Sequence, residues 1–247
     1  MNCTYLRLEL TRLYRDPVLL AIVVVLPAFF FIGASLAIPT TLEPETRTAV
    51  RDGVMIGLAC YGAATAASTI AGGTALERVH GWGRQLGLTP MPTISFVTVK
   101  AVVALVAVTA SVTVMFVIAM VAGVSSSAAA WVAAAGTVIL GSVAWALYGL
   151  VVSLAFRSQS ALAASAAGLV LLALAGGVFV PLPEHLVWLA RWTPMYGHVE
   201  LARLALEAGS AGEWVSRALW PLANWLGWTG LLALLATRLV RRSRRRG

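Results

Sequence analysis

The stretch that decides the fold runs from Glu77 to Pro92 and reads E-R-V-H-G-W-G-R-Q-L-G-L-T-P-M-P. It is a compact polar passage in a 247-residue chain in which 60% of residues are hydrophobic and only 11% are charged. Pro90 and Pro92 would stop a helix before the next apolar run begins. Uncharged runs long enough to cross ~30 Å of hydrocarbon as helices lie on both sides. The passage therefore predicts a polar loop between two membrane spans.

Apolar runs of about 20 residues recur along the chain, whose mean hydropathy is +0.86. These runs lack the alternation of a membrane β-barrel, so the backbone is expected to satisfy its hydrogen bonds as helices. We predict one all-α, polytopic membrane domain over residues 1–247. An amphipathic N-terminal helix at 3–15 would lie in the membrane interface. The six predicted spans cover about 17–38, 53–76, 96–122, 130–156, 161–180 and 218–237, and Pro27 is expected to kink the first.

The basic residues are distributed unequally between the two sides that these spans define. One side, which includes both termini, holds 13 of the 18 basic residues and three of the ten acidic ones. The positive-inside bias then predicts that both termini are cytoplasmic and that residues 39–52 and 181–217 are external. The net charge of +8 thus reflects topology, and no nucleic-acid partner is expected. Arginine and alanine richness is typical of GC-rich bacterial genomes, so we expect a bacterial inner membrane.

The predicted external segment 181–217 is too long for a simple loop and too often charged or broken to be a span. Thr193 and Pro194 form a helix-start signal, an N-cap residue followed by proline at the first helical position. We predict two short amphipathic helices, about 184–192 and 194–208. Six of the nine tryptophans lie between Trp188 and Trp228, which is typical of an aromatic belt at a membrane surface and makes lipids a partner.

Small residues recur four apart in the second and fifth predicted spans. Such rows allow close helix approach in lipid, although a general abundance of alanine is an alternative explanation. The candidates for a dimer contact or a transport pathway are Ala59, Ala63, Ala67, Ala71, Gly168 and Gly176.

Motifs for catalysis and nucleotide binding are missing from the sequence. No GxxxxGK[ST], HExxH, CxxC or GxSxG stretch occurs, so we expect no enzymatic activity and no cofactor held by this chain. His80, His185 and His198 are dispersed, which argues against a shared metal site. Ion-driven transporters require ionisable residues at membrane depth. The predicted spans place none there. Either the chain moves nothing, or another protein supplies the free energy.

The six spans, the interfacial helix and the residues between spans two and three together resemble the membrane subunits of type-2 ABC exporters. The matching pattern in the loop is Glu77-Arg78, Gly81, Leu86 and Thr89-Pro90. The segment from Pro181 through Pro194 to Arg203 is similar to the external re-entrant helices of that family. The resemblance covers nearly the whole chain.

The resemblance implies a permease whose polar loop is the coupling helix that sits on a nucleotide-binding subunit. The implied partners are an ABC ATPase, which would hold ATP and Mg, and a second permease chain, identical or related. The implied ATPase-coupling residues are Glu77, Arg78, Gly81, Arg84, Gln85, Leu86, Leu88 and Pro90. The external gate candidates are Pro194, Glu200 and Arg203. The alternatives are an ordinary loop whose arginines only set topology, and for Glu200 and Arg203 a surface pair three residues apart.

The function that follows from the resemblance is ATP-driven export of a hydrophobic or amphipathic substrate, such as a drug or antibiotic. One alternative is a membrane-embedded enzyme acting on lipid-linked substrates, which would need clustered His, Asp or Glu near one membrane face. Another is a scaffold or sensor subunit that transports nothing.

Overall fold

The computed structural model describes residues 3–79, 93–156, 160–179, 184–207 and 211–244. The described residues form helices joined by turns, with no strand among them, which confirms the all-α prediction. The helices are α1 (Cys3–Tyr14), α2 (Pro17–Leu20), α3 (Leu26–Ala37), α4 (Pro44–Val79), α5 (Thr93–Val121), α6 (Ala128–Phe156), α7 (Ser160–Ala175), α8 (Glu184–Ala190), α9 (Pro194–Leu206) and α10 (Ala211–Arg244). A π-helical turn, Ala21–Val25, joins α2 to α3.

Five segments in the described part of the chain are long and apolar enough to cross a membrane. They are Pro17–Ala37, Pro44–Gly73, Val99–Val121, Ala128–Phe156 and Trp214–Arg242. The fifth predicted span differs, because α7 has only 16 residues, or about 24 Å at 1.5 Å per residue. The part of the chain that the structure describes therefore has five helices long enough for a full crossing and one short apolar helix, the pattern of a multi-pass membrane protein.

The short helix α7 ends early because of a glycine in the left-handed region. Gly177 has φ +69°, and its N–H bonds to the carbonyl of Leu174 while Val178 N–H bonds to that of Ala173. This is the Schellman pattern that closes a helix C-terminus. The predicted span over 161–180 therefore stops at Ala175, and a turn carries the chain onward.

Two further boundaries correct the sequence prediction. Residues 44–52, expected in an external loop, are the first turns of the 36-residue helix α4, which starts with Pro44 and has Glu45 in its first turn. Both residue types favour a helix N-terminus. The 34-residue helix α10 extends the predicted span 218–237 in both directions, to Ala211 and Arg244. Hydropathy predicts how much of a helix is apolar enough to cross the membrane. It does not predict where the helix ends, so a helix can continue into polar residues.

Pro27 changes the backbone hydrogen bonding of the first span. Proline lacks the N–H that would bond to the carbonyl four residues earlier, here that of Val23 in the π-helical turn. The Ser111 hydroxyl of α5 donates to this carbonyl at 2.7 Å. A π-helical turn therefore precedes Pro27, and a neighbouring helix satisfies the freed acceptor. The kink itself stays a prediction.

Helix α4 forms the centre of the bundle. Every residue from Met55 to Ser68 is buried, and α4 packs against α3, α5, α6 and α7. Inside this core Ser68 and Ser165 of α7 share a hydrogen bond at 2.8 Å. The relative directions alternate, since α5 returns from the Val79 end of α4 to the Pro44 end, where Arg51 donates to the carbonyl of Ala122.

Candidate functional site

Four charged side chains tie α1, α4 and α5 together at the Val79 end of the bundle. Lys100 Nζ lies 2.9 Å from Glu9 Oε2 and 2.8 Å from Glu77 Oε2. Arg12 Nη1 donates to Glu77 Oε1 at 2.6 Å. The side chains of Lys100 and Glu9 are only 10% and 11% exposed, so this pair is largely shielded from solvent. We call Glu9, Arg12, Glu77 and Lys100 the ion cluster.

Tyr5 extends the ion cluster along α1. Burial raises the pKa of the Tyr5 phenol, and its hydrogen bond with Glu9 raises that pKa further. The phenol therefore stays protonated at physiological pH, beside a carboxylate that Lys100 also contacts. The cluster balances two carboxylates with two cations, which is what partly buried charges require.

The ion cluster lies where the predicted coupling loop joins the bundle. Glu77 is in the last turn of α4, and Lys100 is near the start of α5. Of the predicted coupling residues, Glu77 belongs to the cluster, and Arg78 is in α4. The others, Gly81, Arg84, Gln85, Leu86, Leu88 and Pro90, lie outside the described residues.

Sequence reasoning missed the ion cluster as a unit. Glu9 and Arg12 were assigned to the interfacial helix, and Lys100 only to the charge count. One signal was present: Lys100 is the only lysine of the chain and stands in an otherwise apolar run, Thr-Val-Lys-Ala. A charge near the start of an apolar helix needs an oppositely charged partner. The partners of Lys100, Glu9 and Glu77, are distant in sequence.

The predicted small-residue rows pack helices within this chain. Ala59, Ala63 and Ala67 are at most 2% exposed, so their side chains contact helices of the same chain. Their role in a dimer contact or a transport pathway stays a prediction. Ala71 is partly buried as well. The reason is that α4 is the central helix of the bundle and meets neighbours on every side.

The two predicted glycines also serve contacts within the chain. A Cβ at Gly168 would lie 2.2 Å from the Tyr148 hydroxyl, and one at Gly176 would lie 2.9 Å from Met195 Cβ. Gly149 of α6 is tighter still, since its Cβ would meet the Ser68 carbonyl oxygen at 2.1 Å. Gly149 therefore brings α4 and α6 into backbone contact, while Gly168 and Gly176 leave room for side chains of α6 and α9.

Helix α9 is wedged into the bundle from the Pro44 end. Thr193 caps it by accepting from Tyr196 N–H, with Pro194 at the first turn, which confirms the predicted start. A Cβ at Gly197 would lie 2.6 Å from the Pro221 carbonyl of α10. Buried residues occupy most of its length, so α9 is enclosed between α6 and α10.

His198 fixes α9 to the middle of α6. Its Nδ1 accepts from Trp145 Nε1–H at 3.0 Å, and its Nε2 lies 3.0 Å from the Val138 carbonyl. A carbonyl only accepts, so Nε2 carries the proton and the ring is neutral. The sequence analysis assigned His198 to an external segment. In the structure α9 carries this buried ionisable residue to the middle of α6.

The remaining gate candidates lie on the same wedge. Glu200 and Arg203 form an ion pair at 3.8 Å, as the surface-pair alternative expected. Arg203 does more than this, because its Nη2 also reaches the Gly53 carbonyl of α4 at 3.5 Å. Pro194 is buried at the start of α9 and serves the helix start.

A cavity of about 670 Å³ opens between α4, α9 and the turns after α5 and α7. It lies at the Pro44 end, opposite the ion cluster. Its polar walls come from Asp52, Arg203 and Ser125, and its apolar walls include Ile56 and Phe179. The bundle thus has two different ends. The ion-paired end holds the ion cluster, where the polar loop would join, and the hollow end holds the cavity beside α9.

Apolar helices of this length, with an amphipathic helix at the ion-paired end of the bundle, define a polytopic α-helical membrane protein. The family model described as ABC-2 type transporter matches residues 3–206. The chain belongs to the ABC-2 type transporter family and is a transmembrane subunit of an ABC transporter. No curated protein and no solved structure matches it.

Proposed function

We propose that this chain is the permease half of an ATP-driven exporter of hydrophobic or amphipathic substrates. ATP hydrolysis would take place in a separate ABC ATPase, which holds ATP and Mg, and a second permease chain would complete the pathway. Drugs and antibiotics are the proposed cargo. The chain would work in a bacterial inner membrane with both termini in the cytoplasm.

The ion cluster is the observation that carries this proposal. Lys100 bridges Glu9 and Glu77 at 2.9 and 2.8 Å. Both helices that flank residues 80–92 are therefore bonded to the same amphipathic helix. A push on that segment from an ATPase would reach α4 and α5 together, because neither helix end is free to move alone.

The central position of α4 supports transmission beyond the cluster. The helix runs from Glu77 through the fully buried stretch 55–68 to the cavity residues Asp52 and Gly53. Close packing makes such a core shift between discrete arrangements rather than deform gradually. Motion at the ion-paired end would thereby change the hollow end, which is the coupling that an exporter needs.

The proposal is tested with Lys100→Met and Glu77→Gln in lipid nanodiscs that contain the chain and its co-purifying ATPase. Removing one partner of a shielded charge pair costs about 2–5 kcal/mol. We expect substrate-stimulated ATP hydrolysis and vesicle export to fall, while insertion of the permease persists. The double variant should lose no more than the larger single loss, because the two residues act as a pair.

The control is Arg241→Gln on the exposed end of α10, which should leave coupling intact. Arg84→Glu and Leu86→Asp in the polar loop are expected to abolish coupling as well. The proposal fails if no ATPase accompanies the wild-type chain, or if Arg241→Gln uncouples hydrolysis while the cluster and loop variants remain coupled.

A further inference from the structure

The cavity at the Pro44 end has the dimensions of a small-molecule site. Its volume of about 670 Å³ falls within the range of roughly 300–1,000 Å³ that is usual for ligand pockets. It is enclosed by the first turns of α4, the turns at Ser125 and Gly177, and one side of α9. None of these elements belongs to the ion cluster.

Two charged side chains that line this cavity each have one polar atom without a hydrogen-bond partner. The Asp52 Oδ1 and Arg203 Nε atoms are shielded from water, yet within the described ranges neither has a hydrogen-bond partner. Burying such a group without a partner is unfavourable, and more so when it is charged. Arg203 has Glu200 as an ion partner, so Asp52 is the residue that differs from the ion cluster, where each charge meets an opposite one.

Among the described residues no basic side chain forms an ion pair with Asp52, although Arg51 is its electrostatic neighbour. Arg51 directs Nη1 to the Ala122 carbonyl, and Arg203 takes Glu200 as its ion partner. The other carboxylate at the rim, Glu207, is already paired with Arg217 at 2.8 Å. Asp52 is therefore the carboxylate left to meet a cation that enters the cavity.

The apolar walls of the cavity indicate the chemistry of the uncharged part of the ligand. Ile56, Val178, Phe179 and Leu206 line the cavity, and the Phe179 ring is held edge-on by Tyr61 at 5.0 Å between centroids. A rigid aromatic wall of this kind suits an apolar or aromatic body. The cavity thus combines apolar walls with one anionic group, Asp52, and one hydrogen-bond donor, Arg203.

We propose that this cavity binds an amphipathic monocation: an apolar body with a protonated amine for Asp52 and an adjacent carbonyl or hydroxyl oxygen for Arg203. Binding would compensate both buried groups at once. The inference deepens the proposed function by naming the cargo class. It rests on that function only for the transport step, because binding itself needs no ATP.

The test uses Nε-dansyl-lysine amide, which carries a protonated α-amine beside a carbonyl and an aromatic body. Binding to the full chain in nanodiscs is measured by fluorescence anisotropy at pH 6.5 before ATP is added. Asp52→Asn keeps the size of the side chain and should raise the Kd about tenfold or more. The Nα-acetylated probe lacks the charge, and Asp52→Asn should leave its weaker binding unchanged.

Glu45→Gln is the matched control, since it removes a carboxylate from the exposed first turn of the same helix and should not change the Kd. Ala49→Trp at the cavity wall should weaken both probes by filling the space. An unchanged Kd for the amine in Asp52→Asn, or no binding by the wild type, overturns the inference. Loss of ATP-driven export with normal amine binding would instead count against the proposed function alone.

Discussion

Replacing Gly149 by alanine tests whether the bundle is held by backbone contact between α4 and α6. The added Cβ would lie 2.1 Å from the Ser68 carbonyl oxygen and 2.7 Å from Ser68 Cα. Restoring an ordinary contact of about 3.4 Å would require the helices to separate by about 1.3 Å, and a gap of ~1 Å already forfeits up to half of the dispersion energy of the atoms that it parts. We expect the free energy of unfolding to fall by about 1–3 kcal/mol or more.

The same helix offers a control for Gly149→Ala. A Cβ at Gly136 has no neighbour within 4 Å, so Gly136→Ala should leave stability unchanged or raise it by up to about 1 kcal/mol. Unfolding is followed by heating a Cys3→Ser background with a thiol-reactive fluorogenic dye, since Cys60 is fully buried in α4 and reacts only after the bundle opens. Equal melting of the two variants would refute the packing argument.

Two further predictions address hydrogen bonding and topology. Ser111→Ala should destabilise the protein by about 1–3 kcal/mol in the same dye assay, because the Val23 carbonyl loses its donor. Adding Pro27→Ala restores a backbone N–H and should recover much of that loss; a double variant as unstable as the sum of both changes would contradict this account of the π-helical turn. For topology, Glu45→Cys should react with an impermeant maleimide added to intact cells and Arg241→Cys should not, in a cysteine-free background. The reverse pattern would invert the predicted orientation.

The sequence predicted the helices well because hydropathy and helix signals are local. The Thr193-Pro194 start was recognised for this reason. Helix lengths were predicted less well, since α4 and α10 continue into polar residues and α7 stops at a Schellman turn. Apolar content defines where a helix is able to cross a membrane, whereas hydrogen bonding and capping decide where it begins and ends.

The candidate site was harder to predict because its contacts are long-range. The alanine row in α4 indicated close packing, but a row of small residues does not reveal whether its neighbour is in the same chain. Lys100 was visible as an unusual charge, yet its partners lie 91 and 23 positions away. His198 gave no local signal either, because its burial depends on the wedging of α9 between α6 and α10.

The ion cluster has a practical consequence for labelling chemistry. Lys100 carries the only side-chain amine of the chain, and it is held between two carboxylates with 10% of its surface exposed. Acylating reagents need a neutral, accessible amine, so they would reach residue 100 only while it is released from Glu9 and Glu77. The extent of acylation at that residue, read by mass spectrometry, therefore measures how often the ion cluster opens, with no substitution in the chain.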